Sequence, residues 1–93
     1  LGMMLEDLSP DLKEEYEIET NSGIVITGVE SSSQARKEGL RPGDVIREVN
    51  RKAVASVAEA RRLLERAKSG DLVLLRISRG SGNFFVALKV EKY

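Results

Sequence analysis

The sequence predicts an α+β fold: a small, partly open antiparallel β-barrel of about five strands, flanked by two or three helices. Three observations predict it. Runs rich in Ile, Val, Leu and Phe at 23–29, 45–49, 71–79 and 84–90 have the length and composition of strands. The last two are joined only by Gly80-Ser81-Gly82-Asn83, a hairpin loop that makes them antiparallel. Serine-capped helix starts fall between strands, at Ser9 and Ser56.

Leu1-Gly2-Met3-Met4-Leu5-Glu6 reads as a strand entered through a glycine. Ser9 then caps a helix, Pro10 suits its first position, and Asp11 favours its positive end. Leu12 and Tyr16 are four apart and share a face. Glu14, Glu15, Glu17 and Glu19 read as solvated, with no catalytic carboxylate pair. After the loop 20–23, Gly23 to Val29 is a buried strand. A short helix follows within 32–38, and Gly39 stops it. Ala35 and Leu40 are expected beneath the sheet.

Arg41-Pro42-Gly43-Asp44 is a tight turn in which glycine supplies the positive φ of type II. Val45, Ile46 and Val49 begin a largely buried strand, and Asn50-Arg51-Lys52-Ala53 turns the chain. Ser56-Val57-Ala58-Glu59 is a capping box. Its helix is expected from about Val57 to Lys68, with Gly70 as the stop. Ala60, Leu63 and Ala67 recur at helical spacing and are assigned to the core. In the last strand Phe84, Val86, Leu88 and Val90 face one way, and Phe85, Ala87 and Lys89 the other.

Composition narrows the functions. Ninety-three residues make one domain, and 41% hydrophobic with 32% charged residues is ordinary for a globular protein. Fifteen basic residues balance fifteen acidic ones, so no basic excess suggests nucleic acid. No apolar run approaches the roughly 18 residues of a membrane span, so no membrane insertion is expected. The chain has neither cysteine nor histidine, which excludes a disulfide, a Ser-His-Asp or Cys-His site and histidine metal ligands. No glycine pattern makes a phosphate loop. No cofactor is expected.

The stretch Gly39-Leu40-Arg41-Pro42-Gly43-Asp44-Val45-Ile46-Arg47-Glu48-Val49-Asn50 resembles the core signature of PDZ domains, small peptide-binding modules. It is most similar to those attached to bacterial HtrA/Deg serine proteases. The resemblance covers nearly the whole chain, as a single domain over 1–93. Many PDZ sequences carry Asn-Gly where this one has Asn50-Arg51. Leu1-Gly2-Met3 match the apolar-Gly-apolar loop whose backbone N–H groups face a peptide's terminal carboxylate. By itself, that stretch is better read as a plain strand start. The resemblance also implies a peptide groove formed by Met3, Met4, Leu5, Val57, Arg61 and Leu64, with helix 57–68 as one wall. Alternation turns Met3 and Leu5 toward it. For Arg61 a solvated surface role is an equal alternative.

The resemblance implies β-augmentation, in which a C-terminal or unfolded segment of another protein adds as a strand beside residues 3–6. The implied parent is a periplasmic bacterial endopeptidase of protein quality control, with its protease domain as a further partner. The start at Leu1 reads as a domain cut from a longer protein, and Val90 to Tyr93 as the parent's end, which would make this its last PDZ domain. The alternatives are a structural docking module that holds domains or protomers together, or the PDZ domain of another bacterial protease or secretion protein. The chain alone is not expected to be an enzyme. Purified chain incubated with unfolded casein should leave it intact, and cleavage that survives rigorous purification would overturn that expectation.

Overall fold

The structure, a computed structural model, describes residues 2–90. Its elements in chain order are β1 (Met3–Asp7), α1 (Pro10–Glu15), β2 (Ile24–Val29), α2 (Gln34–Lys37), β3 (Val45–Val49), β4 (Lys52–Ala53), α3 (Val57–Glu65), β5 (Leu72–Arg79) and β6 (Gly82–Lys89). The strands form one six-stranded antiparallel sheet in the order β1-β2-β3-β5-β6, with β4 paired to β3. The sheet curls without closing, as the sequence predicts, and carries one strand more than expected.

The extra strand is β4. Asn50 and Arg51 both take positive φ, 51° and 68°, which is the geometry of a two-residue hairpin turn. Arg51 adopts it without being glycine, at a cost of about 1–2 kcal/mol. Asn50 offsets that cost. Its N–H donates to the Leu74 carbonyl at 2.7 Å, and its side-chain oxygen accepts from the Leu74 N–H at 2.9 Å. The turn is thus clipped to β5, and Lys52 and Ala53 pair back onto Val49 and Glu48.

Helix α3 ends at Glu65, three residues short of the expected Lys68. Two contacts beyond the helix outcompete its continuation. The Lys68 N–H donates to the Asp71 carboxylate at 2.9 Å, and the Gly70 N–H donates to the Val90 carbonyl at 2.7 Å. The chain is therefore drawn into a turn docked on the end of β6. The helix caps at Ser9, Ser33 and Ser56 form as serine chemistry requires, each hydroxyl accepting a backbone N–H at 3.2 Å.

The core lies between the concave face of the sheet and helices α2 and α3. Ile24, Ile26, Ala35, Leu40, Leu75 and Ile77 are almost fully buried there. Tyr16, the C-cap of α1, packs over Gly43, where a Cβ would meet its ring at 3.1 Å. Among the described residues one charged residue is buried with the core. Asp44, 2% exposed, accepts from Arg79 at 2.8 and 2.7 Å and from the Arg41 N–H at 2.9 Å. Arg79 also donates to the Gly39 carbonyl at 2.8 Å and lies over the Phe84 ring at 4.8 Å.

Removing one partner of such a pair leaves a charge in the interior. Arg79→Met keeps the apolar stem but strands the Asp44 carboxylate. Because the Arg79 side chain is 36% exposed, the loss is expected at the lower end of the range for buried pairs, about 3 kcal/mol. Urea unfolding measures it. A loss below about 1 kcal/mol would show that water reaches and satisfies Asp44.

Candidate peptide groove

Strand β1 is an outer strand of the sheet, and helix α3 lies across from its open edge. Between them is a pocket of about 300 Å³ lined by Met3, Leu5, Val57, Arg61, Leu64 and Glu65. Five of these were singled out in the sequence. Period-two alternation on the strand turns Met3 and Leu5 inward, and spacings of four and three on the helix line up Val57, Arg61 and Leu64.

Two sequence expectations need adjustment. Met4 does not line the pocket. Its side chain is 61% exposed on the other face of β1, where a Cβ on Gly28 would meet its sulfur at 3.1 Å. Neighbours along a strand point opposite ways, so Met4 cannot share the face of Met3 and Leu5. Glu65 was missed, although it lies one turn beyond Arg61 on the same helix edge and that spacing is its signal.

The β1–β2 register shifts between Met4 and Leu5, so that Thr27 is an extra residue in β2. The Thr27 hydroxyl donates to the Met4 carbonyl at 3.3 Å. That carbonyl therefore points toward β2. Across the trans peptide the N–H of Leu5 points the other way, to the open edge. The same holds one step earlier. The Gly2 carbonyl accepts from the Glu30 N–H at 2.8 Å, which turns the Met3 N–H outward. Gly2 has φ +83°, and a Cβ there would sit 2.1 Å from the Cβ of Ser33. Only glycine lets the strand begin this close to the start of α2. Leu1, the first member of the expected carboxylate loop, lies outside the described residues, as do residues 91–93.

Asp7 fixes the far end of the groove. Its carboxylate accepts the Val57 N–H at 2.7 Å, across fifty residues of sequence. Ser56 accepts the Glu59 N–H at the same helix end. Two of the orphan donors of α3 are thereby satisfied, and a carboxylate sits at the positive end of the helix. Among the described residues no group of three or more acidic, cysteine or histidine side chains comes together to hold a metal ion. No helix there is long and apolar enough to cross a membrane.

A sheet edge facing a helix across an apolar pocket, on this strand order, is the architecture of a small PDZ-like domain. The chain belongs to the PDZ domain family, whose model matches residues 1–90. Its relatives include the probable periplasmic serine endoprotease DegP-like of Chlamydia muridarum (strain MoPn / Nigg), 36% identical over 93 residues. That match covers 99% of this chain and 18% of the relative. The DegP-like protein of Rickettsia conorii is 36% identical over 87 residues, covering 90% of this chain and 16% of the relative. The chain thus spans under a fifth of the length of these relatives. Among solved structures, the HtrA-type protease AlgW with a decapeptide superposes with a TM-score of 0.86 at 25% identity, covering 98% of this chain and 28% of that one. The HtrA3 PDZ domain bound to the phage-derived ligand FGRWV gives a TM-score of 0.82 at 24% identity, covering 96% and 81%.

The Asp7 cap generates a test. Asp7→Ala should lower stability by about 0.5–2 kcal/mol, the usual worth of a helix cap. It should also speed hydrogen exchange at the Val57 amide more than at amides of β5. Unchanged exchange at Val57 would show that the strand end does not hold the helix.

Proposed function

We propose that this domain binds the C-terminal or unfolded segments of other polypeptides by β-augmentation at the open edge of β1. The observation that carries the proposal is the outward direction of the Met3 and Leu5 N–H groups beside an apolar pocket. An incoming strand has donors to pair with, and its last side chain has a place to go. Leu1, Gly2 and Met3 would meet the terminal carboxylate, while Met3, Leu5, Val57 and Leu64 take the side chain. Met4, whose carbonyl faces β2 and whose side chain lies on the other face, would contribute neither side chain nor backbone. Methionine adapts its shape, so the pocket should accept several apolar residues. Arg61 would add a weak, salt-sensitive preference for acidic peptides, since an exposed ion pair is worth at most about 1 kcal/mol.

A few backbone hydrogen bonds at about 1 kcal/mol each and one or two buried side chains at about 1.5–3 kcal/mol each must offset the entropy of association. Micromolar affinity, near −8 kcal/mol, is the scale that results. The AlgW structure, an HtrA-type protease with a decapeptide, supports a peptide ligand for this fold. In a longer parent the domain would serve as the substrate-recognition or regulatory module of an HtrA/Deg-like serine endopeptidase. The catalytic domain of such an enzyme would lie elsewhere in the protein. The names of the relatives support a periplasmic setting.

Titrating one apolar-ended peptide as the free acid and as its amide tests the carboxylate role. The acid should bind about ten- to a hundredfold more tightly, the worth of a charged hydrogen-bonded group at about 1.5–3 kcal/mol. Val57→Asp should weaken both forms. Equal affinities for acid and amide would remove the role of Leu1-Gly2-Met3. Binding that survives Val57→Asp in a folded protein would remove α3 as the groove wall and favour a docking module instead.

A further inference from the structure

The chain carries its oxidisable side chains in one place. It has two methionines and no cysteine, histidine or tryptophan. The methionines are neighbours, Met3 and Met4, and both lie on β1. Peroxides attack the sulfur of cysteine and methionine first, and attack follows exposure. A two-electron oxidant therefore meets this protein at the strand that bounds the groove.

Alternation sends the two sulfurs to opposite faces of the strand. Met4 is 61% exposed and lies over Gly28, on the face away from the pocket. Met3 is partly buried against the core and lines the pocket of about 300 Å³ beside Leu5, Val57 and Leu64. Among the described side chains lining that pocket, Arg61 alone carries N–H donors.

We propose that Met3 is an oxidation site that switches the groove, its sulfoxide turning the pocket away from apolar ligand side chains. The proposal rests on the peptide-binding reading of the groove. A lone pair of the Met3 sulfur attacks one oxygen of a peroxide, and the S–O bond forms as the O–O bond breaks. The proton on the transferred oxygen passes to the departing one. Sulfur loses two electrons, and the peroxide is reduced to water or an alcohol. The product replaces a flexible apolar thioether with a polar S=O group. Water or the Arg61 guanidinium can satisfy that oxygen while the pocket is open. An apolar side chain entering the pocket must displace them and leave the S=O unpaired, which should cost about tenfold or more in affinity. Sulfoxide reductases return the thioether, so the switch is reversible. Met4 undergoes the same chemistry on the other face, without consequence for the groove.

The test uses the whole chain and a fluorescein-labelled free-acid peptide ending in Ala-Ala-Val. Met4→Leu leaves Met3 as the only sulfur in the chain, and Met3→Leu leaves Met4. Each variant is titrated before and after treatment with hydrogen peroxide, which catalase then removes. Intact mass verifies the added oxygen, and circular dichroism the fold. Oxidised Met4→Leu should bind the peptide about tenfold or more weakly than its untreated form, and methionine sulfoxide reductases should restore the affinity. Met3→Leu, compared with its own untreated form, should not respond to peroxide. Saturating peptide should slow oxygen uptake in Met4→Leu but not in Met3→Leu. Undiminished affinity in oxidised Met4→Leu would overturn the switch and leave the groove reading standing. So would an equal loss in Met3→Leu, a Met3 that takes up no oxygen while Met4 does, or a loss that comes with unfolding. Absence of binding to the untreated, unsubstituted chain would overturn the peptide-binding reading, and the switch with it.

Discussion

The Asp44 carboxylate sets a constraint that four segments must meet together. At 2% exposure it has almost no water to solvate it, and a buried charge without partners is costly. Its partners come from the turn before it and from the end of β5, thirty-five residues away. The backbone of the same turn is fastened to β2. The Ile26 N–H donates to the Asp44 carbonyl at 2.9 Å, and the Gly43 N–H to the Ile26 carbonyl at 2.8 Å. Arg79 extends the network to Gly39 at the end of α2 and to the ring of Phe84 on β6. One carboxylate thus fixes where α2 stops, where β3 starts and how the final hairpin sits. Desolvation makes the pair a weak source of net stability, so we read its value as specificity: few other arrangements of these segments satisfy it.

The parts of the fold that follow from neighbouring residues were legible in the sequence. The Ser9 and Ser56 caps, the positive φ of Gly43 and the alternation of β6 all depend on residues within four of each other, and all are present. The parts that were not legible depend on distant partners. β4 exists because Asn50 bonds Leu74, and α3 stops early because Gly70 bonds Val90. The Asp7 cap and the bonds of the Gln34 amide to the Lys89 backbone span 50 and 55 residues. No local pattern marks an aspartate at a strand end as the cap of a helix half the chain away. In the groove, alternation was enough to place Met3 and Leu5. Including Met4 with them ignored the same alternation, whereas the turn spacing that found Arg61 also reaches Glu65.

The two open edges of the sheet differ in how they are kept. β1 faces α3 and is paired across a bulge, which turns the strand and limits what can align with it. β6 is regular and is held only at one end by Gln34. An open sheet always has two such edges, since only closure removes them. The curl of this sheet therefore yields one edge beside a groove and leaves the other on the surface.

The groove also differs from wall to wall in stiffness. The β1 wall belongs to a sheet whose next strand begins with three fully buried residues, Ile24, Val25 and Ile26. The α3 wall has one fully buried residue, Ala60, and is tied at its start by Ser56 and Asp7. Nine helical residues and five strand residues both span roughly 12–13 Å, so the helix runs back along the whole strand from Asp7 toward Met3. In the proposed complex its anchored end would meet the upstream part of the peptide and its less buried end the terminal residue. The pocket between Met3 and Leu64 is thus walled by a flexible methionine and by the part of the helix farthest from its caps. Such a pocket would adjust to its occupant, and on the proposed reading the affinity would be set more by backbone pairing along β1 than by close fit of one side chain.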